Sequence, residues 1–202
     1  MKSAILVLAV FFGLTAFIPA NPSGQALEAP TWEIDQNHSS VAFSVRHFFS
    51  DVIGTFDQFE GTLKFDPEDL ESSQVDFTID VASVNTKNER RDNHLRSEDF
   101  FMVEDFPTMK FTSSSFEKSG DHYIAKGEMT IRDVTREMEI PIDFLGQMAH
   151  PRREGAYIGG FRAKFTIDRT EFGVGSGNFA ATTTIGAEVD VTINLEVSRS
   201  ES

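Results

Sequence analysis

No cysteine occurs anywhere in the chain. That excludes disulfides, thiol catalysis and acylation at a leader cleavage-site cysteine. Polar aromatics are also scarce, with one tryptophan and two tyrosines against 20 phenylalanines. Basic residues are outnumbered, 18 Lys and Arg facing 32 Asp and Glu, for a formal charge of −14. A surface of that sign repels nucleic acid and anionic membranes, and it favours solubility. Repeats, low-complexity tracts and linkers are missing from the body of the chain, which reads as one domain.

The first 20 residues, "MKSAILVLAVFFGLTAFIPA", carry Lys2 and then an apolar run from Ala4 to Ile18, followed by the small and turn-forming "NPSGQA". This is the layout of a secretory signal peptide cleaved after Ala26. The run is about 15 residues, short of the roughly 20 that span a bilayer. Cleavage leaves residues 27–202 as the domain and moves the formal charge to −15, because Lys2 is lost and no acid is. An exported domain of this length without disulfides relies on its own core.

Period-two alternation dominates that domain. Val41, Phe43, Val45 and His47 alternate with Ala42, Ser44 and Arg46. The same pattern runs through Phe59 to Phe65, Val75 to Val81, Met109 and Phe111, Tyr123 to Ile131, Met138 to Phe144, Tyr157 to Ile167, and Ile185 to Val197. About eight long strands separated by "KSGD", "RDVT" and "HPRREG" imply antiparallel neighbours. A sandwich or a closed barrel both hide one apolar face, and the barrel also removes edge strands. The barrel is the reading favoured here, with an interior that side chains fill or that holds one small ligand. The densely charged polar face (Asp76, Asp80, Glu188, Asp190, Glu196) argues for apolar residues inside rather than an outer-membrane barrel.

One segment breaks the alternation. "KNERRDNHLRSEDFF", residues 87–101, reads as a short charged helix ending in two phenylalanines. Thr86 and Glu89 form a capping box, which starts the helix at Lys87 and carries it to Arg96. So short a helix cannot stand alone in water and must dock through Leu95, Phe100 and Phe101 onto the barrel mouth. A second short helix is expected at "DPEDLESS", with Asp66 as N-cap and Pro67 in its first position.

Chemistry-bearing constellations are weak. His38, His47, His94, His122 and His150 lack ligand spacing, and on an unbroken strand His38 and His47 fall on opposite faces, so no metal is expected. No G-x-S-x-G elbow or phosphate loop is present, and "GVGSG" suits a flexible loop. An enzyme would need His47 with Glu60 or Asp143 facing inward together, which alternation does not provide. No catalytic activity and no cofactor are expected.

The stretches "WEIDQNHSSVAFSVRHF", "GTFDQFEGTLKFDP", "RRDNHLRSEDFFMVEDFPTMKFTSSSF", "GEMTIRDVTREMEIPIDFLG" and "FTIDRTEFGVG" occur in this order. Together they resemble the YceI-like family of bacterial lipid-binding proteins, also called polyisoprenoid-binding periplasmic proteins. The resemblance spans residues 32 to about 197 and is most distinctive in R-x-x-H-L-R-S-x-D-F-F and I-D-R-x-x-F-G. It implies an extended eight-stranded antiparallel lipocalin-like barrel in the periplasm, with one or two short capping helices. It further implies an elongated apolar ligand (an isoprenoid quinone, polyprenyl or fatty-acyl lipid) inside, and often a homodimer. Seventeen phenylalanines lie beyond the leader, and Phe and Met make wide apolar walls without fixed hydrogen-bond demands.

The residues expected to meet a lipid tail are Phe43, Val45, Phe59, Leu63, Phe77, Ile79, Phe111, Met129, Ile142, Phe144, Phe161, Phe165 and Val191. Arg91, His94, Leu95, Phe100 and Phe101 are expected at the headgroup or lid. For Arg90, Arg91, His94 and Arg96 the structural alternative is pairing with Asp92, Glu98 and Asp99, or holding the cap to the barrel. Arg169 is expected to anchor its loop to an acid. Two other readings stay open: an enzyme acting on such a lipid, and a ligandless structural or stress-response protein whose barrel is filled by its own side chains.

Overall fold

A computed structural model describes residues 28–201, so the expected leader, 1–26, lies outside the described residues. Eleven strands form one sheet in which every pairing is antiparallel. They are β1 (Thr31–Ile34), β2 (Ser40–His47), β3 (Ser50–Phe56), β4 (Phe59–Lys64), β5 (Gln74–Asp80), β6 (Val84–Asn85), β7 (Thr108–Ser119), β8 (His122–Ile131), β9 (Val134–Ala149), β10 (Ala156–Asp168) and β11 (Ile185–Ser200). Helix α1 spans Glu89–Arg96. No helix among the described residues is long and apolar enough to cross a membrane.

The order β1-β4-β5-β7-β8-β9-β10-β11 closes on itself where β1 pairs with β11, giving an eight-stranded barrel. Closure leaves no free edge around this ring and turns the alternating apolar rows inward. The ring uses a different set of strands from the expected one. On the edge opposite β10, strand β11 carries two partners along its length: β1 at Val197 and Ser198, and β2 from Ile185 to Asn194. The chain thus breaks one wall position into β1 and β2, and β2 then continues into β3 and β6.

Strands β1, β3 and β6 were not legible as alternation. β1 and β6 are too short. In β3 the exposed Ile53 interrupts the polar face, and Gly54 replaces an inward side chain because the Phe43 ring and Thr86 fill its space. A Cβ on Gly54 would lie 2.4 Å from the Phe43 ring.

The free side of β3 is covered by the segment between β5 and β7. Asp57 N–H donates to the Ser83 carbonyl at 3.2 Å, and Val81 N–H to the Pro107 carbonyl at 2.9 Å. Arg96 donates to the Ala82 and Val84 carbonyls at 2.8 and 2.9 Å, pinning α1 to the barrel. The expected capping box does not form. Lys87 takes a left-handed φ of 61°, which turns the chain before the helix and moves the N-cap to Asn88. The Asn88 side chain accepts from Arg91 N–H, and Thr86 instead gives its N–H and hydroxyl to the buried Asp92 carboxylate. The second expected helix is absent: residues 66–73 form turns. The Ser72 and Ser73 hydroxyls bond Asp69, and Asp66 N–H donates to Ser73, so side chains take groups a helix would pair.

Each end of the barrel is plugged. At the end where β1 meets β11, Phe65 is 1% exposed and its ring meets Phe116, Tyr123, Phe144 and Phe161 at centroid separations of 4.9–5.9 Å. The Trp32 indole N–H donates to the Phe65 carbonyl at 3.1 Å, so the one tryptophan satisfies its polar atom inside this plug. The other end holds Phe100, Phe172, Val174, Val81 and Val84.

Arg169 organises the loop over that second plug. It does not meet an acid, as the sequence suggested. The residue is 4% exposed, and its guanidinium donates to four backbone carbonyls: Gly186, Val174, Phe179 and Ile185, at 2.6–3.0 Å. Gly175, at φ 87°, passes so close that a Cβ would sit 2.2 Å from the guanidinium, so the glycine-rich loop is wrapped on an arginine rather than free. Burial pushes the Arg169 side chain below its ordinary value, an effect Asp168 partly offsets. A lysine cannot reproduce the planar fork. Arg169→Lys is therefore expected to lower the unfolding free energy by about 2–4 kcal/mol, from carbonyls left unpaired. Urea denaturation measures this, and a change below about 1 kcal/mol would contradict the anchoring role.

Candidate functional site: an apolar cavity between two plugs

Between the two plugs lies a cavity of about 980 Å³. An eight-stranded ring has an interior of about the size its side chains can fill, or that admits one small ligand. Here the side chains fill the ends and leave the middle open. Ile34, Val75, Met129, Ile193 and Leu195 pack against both plugs and form the belt between them.

Eleven of the expected tail residues lie on the cavity wall: Phe43, Val45, Leu63, Phe77, Ile79, Phe111, Met129, Ile142, Phe161, Phe165 and Val191. Phe59 and Phe144 do not. Phe59 is spent in a stacked pair with Phe77 at 5.7 Å. Phe144 packs into the Trp32–Phe65–Phe161 plug, where a bulge between Gly160 and Phe161 shifts the register of β9 against β10. Val41, Phe56, Ile167, Val189, Ile193 and Leu195 also line the space. All but Phe56 sat in the alternating rows, so the signal was present. Phe179 and Val174, by contrast, come from the loop held by Arg169, which has no periodicity to read.

Arg91, His94, Leu95, Phe100 and Phe101 all reach the cavity from α1 and the turn after it. Arg91 and His94 are both engaged within this segment. Arg91 donates to the Thr86 hydroxyl and carbonyl at 2.6 and 2.8 Å. His94 pairs with Asp99 at 3.0 Å, and its ring packs edge-on against Phe100 and Phe179. The lid is thus a polar-braced cover with an apolar underside. His47, Asn88 and Arg90 are exposed wall residues, and they place the mouth between the β2–β3 hairpin and the start of α1. No aspartate or glutamate among the described residues lines the cavity.

Of the residues named for the catalytic alternative, Asp143 has partners of its own. Asp143 is held by His122 and by a two-nitrogen contact from Arg162, and these partners, His122 first, keep its carboxyl below the ordinary value. Among the described residues, no hydrogen bond joins His47 to Asp143 or to Glu60.

A cluster of one histidine and two acids does form elsewhere. His38 lies in the turn before β2 rather than on a strand, at the opposite end of β2 from His47. Its Nδ1 is 2.9 Å from Asp35 and 3.8 Å from Glu196, and Asp35 N–H donates to the Glu196 carbonyl. These three groups pin the β1–β2 break onto β11, which alternation could not foresee because β1 was unread. The Asp35 hydrogen bond, then the Asp35 and Glu196 charges, raise the His38 ring above its ordinary 6.5. The same hydrogen bond lowers Asp35. Because the folded His38 value is raised, the pairing helps the fold below pH 6.5 and fades as pH climbs through that value. A proton NMR titration should find His38 above 6.5, with Asp35→Asn bringing it down. An unchanged midpoint in that variant would contradict the pairing.

Comparison with known proteins bears on this geometry. Protein YceI of Escherichia coli O157:H7 is 33% identical over 199 residues, covering 97% of each chain. The crystal structure of Burkholderia cenocepacia BcnA superposes with a TM-score of 0.73 at 23% identity, covering 81% of this chain and 99% of that one. A polyisoprenoid binding domain from Saccharophagus degradans, implicated in plant cell wall breakdown, superposes with a TM-score of 0.60 at 13% identity, over 83% of this chain and 98% of that one. At those identities the two structures bear on the fold alone. A YceI-like domain model matches residues 32–197, nearly all of the barrel, and the chain belongs to the YceI-like family.

Proposed function

We propose that this protein binds one elongated apolar amphiphile in the barrel, as a periplasmic carrier or store. The ligand is of the isoprenoid quinone, polyprenyl or fatty-acyl class. The observation that carries the reading is the 980 Å³ cavity, walled mainly by phenylalanine, methionine and aliphatic side chains, packed shut at the Phe65 end and covered at the other by the α1 segment with a mouth beside it. Such a wall offers a hydrocarbon about 0.8 kcal/mol per buried methylene with little directionality, so it selects for length and greasiness rather than for a particular pattern of donors. Membership of the YceI-like family supports the same reading. The ligandless alternative required a barrel filled by its own side chains, and the open middle disfavours it. In this reading the amphiphile is the only small molecule the barrel needs, and the leader at 1–26 delivers the chain to the compartment where it meets membrane lipids.

Native mass spectrometry of protein purified from a membrane-containing host tests this. A lipid or quinone adduct is expected, and organic extraction should remove it. Ala163 sits on the wall beside Ile142 and Ile193. Ala163→Trp sets a large ring on that wall and narrows the cavity, so it should lower the adduct's occupancy while the protein still unfolds cooperatively. A homogeneous apo mass for the native protein, with nothing extractable, would count against the reading, as would an adduct of undiminished occupancy in the Ala163→Trp variant.

A further inference from the structure

The turn between β2 and β3 exposes apolar surface with no use inside the barrel. Phe49 is fully exposed, Phe48 is 52% exposed, and Ile53 faces outward from β3 at 69%. This tip is built, not loose. Phe48 takes a left-handed φ of 51°, uncommon for a bulky residue. Its N–H donates to the Thr184 carbonyl at 2.8 Å, and its carbonyl accepts from Arg46 at 2.9 Å. Arg46 also holds the Thr182 carbonyl at 2.9 Å, tying the hairpin to the loop before β11. The Phe48 ring lies edge-on against His47 at 4.8 Å. The backbone is therefore fixed so that Phe49 projects fully into solvent beside the half-exposed Phe48.

The position is specific. His47, Val52 and Thr184 are cavity-wall residues, so the aromatic tip stands on the rim of the mouth. We infer that the Phe48–Phe49 hairpin is a bilayer-docking tip, which inserts into the surface of a zwitterionic membrane and sets the cavity mouth against the lipid phase. The inference rests on the lipid-binding reading: an insoluble amphiphile enters and leaves most directly where the mouth touches a membrane.

Two observations favour a bilayer over a second copy of this chain. The exposed surface is two rings and one isoleucine, far short of the roughly 800 Å² per partner that a stable interface buries. It also sits at an apex, where one aromatic ring suits the headgroup boundary of a bilayer and gives a flat partner little to pack against. The formal charge of −14 selects a zwitterionic over an anionic surface.

Flotation with phosphatidylcholine vesicles tests the inference on the full domain, using wild type, Phe49→Ser and, as a control, Leu145→Ser. Leu145 is 58% exposed on β9, away from the mouth. Binding of cis-parinaric acid without vesicles reports on the cavity in parallel. Wild type should float, Phe49→Ser should partition at least about tenfold more weakly, Leu145→Ser should match wild type, and all three should bind the fatty acid equally. Wild type that stays in solution, or Phe49→Ser that floats like wild type, overturns the docking role. So does a dimer in light scattering that Phe49→Ser dissolves without any effect on flotation. Phe49-dependent flotation with no fatty-acid binding by any variant leaves the docking tip standing and removes the cavity reading instead.

Discussion

Closure of the sheet between β1 and β11 is the constraint on which the rest depends. An open sheet of this length would leave its inner rows of phenylalanine and aliphatic residues facing water along one edge. Pairing Glu33 and Ile34 with Ser198 and Val197 removes that edge, and the same short strand bonds β4 on its other side. Closing the ring also leaves each end to be covered. One end is covered by rings around Phe65, the other by the α1 segment and the loop gathered on Arg169. What is left between them is apolar space that protein does not fill.

The two plugs differ in a way that matters for traffic. The Phe65 end sets Phe65, just past β4, among strand residues held by main-chain ladders and by a tryptophan whose indole is satisfied internally. The other end is made of a short helix and loops, held by side-chain-to-carbonyl bonds from Arg96, Arg91 and Arg169. Local opening draws on the elements with the fewest ladder bonds. In the proposed function, exchange of contents runs past α1 and the β2–β3 hairpin, where the exposed wall residues cluster.

Much of this was legible in the sequence, for one reason. A strand with one buried face must alternate, so Val41 to Val45, Val75 to Ile79 and Val189 to Val197 announced both their structure and their inward rows. Eleven tail positions fall on the wall because alternation alone fixes which side chains face inward. Phe59 and Phe144 stand in the same rows and end in the packed regions instead, since periodicity gives a residue's face but not its height along the barrel. The illegible parts are those set by contacts distant in sequence. The chain around β3 yields its side chain at Gly54 to Phe43 and Thr86. The helix cap moved to Asn88 because Asp92 claimed Thr86. Arg169 found four carbonyls from three stretches of loop and strand where the local sequence offered only an acid beside it.

The central claim is that water-excluding space inside the ring accommodates a long hydrocarbon. Calorimetric titration with a series of linear fatty acids of increasing chain length tests it most directly. The account predicts that each added methylene strengthens binding by up to about 0.8 kcal/mol, roughly fourfold in affinity, until the cavity is full, after which affinity levels off. Affinity independent of chain length, or no binding at any length, would contradict it.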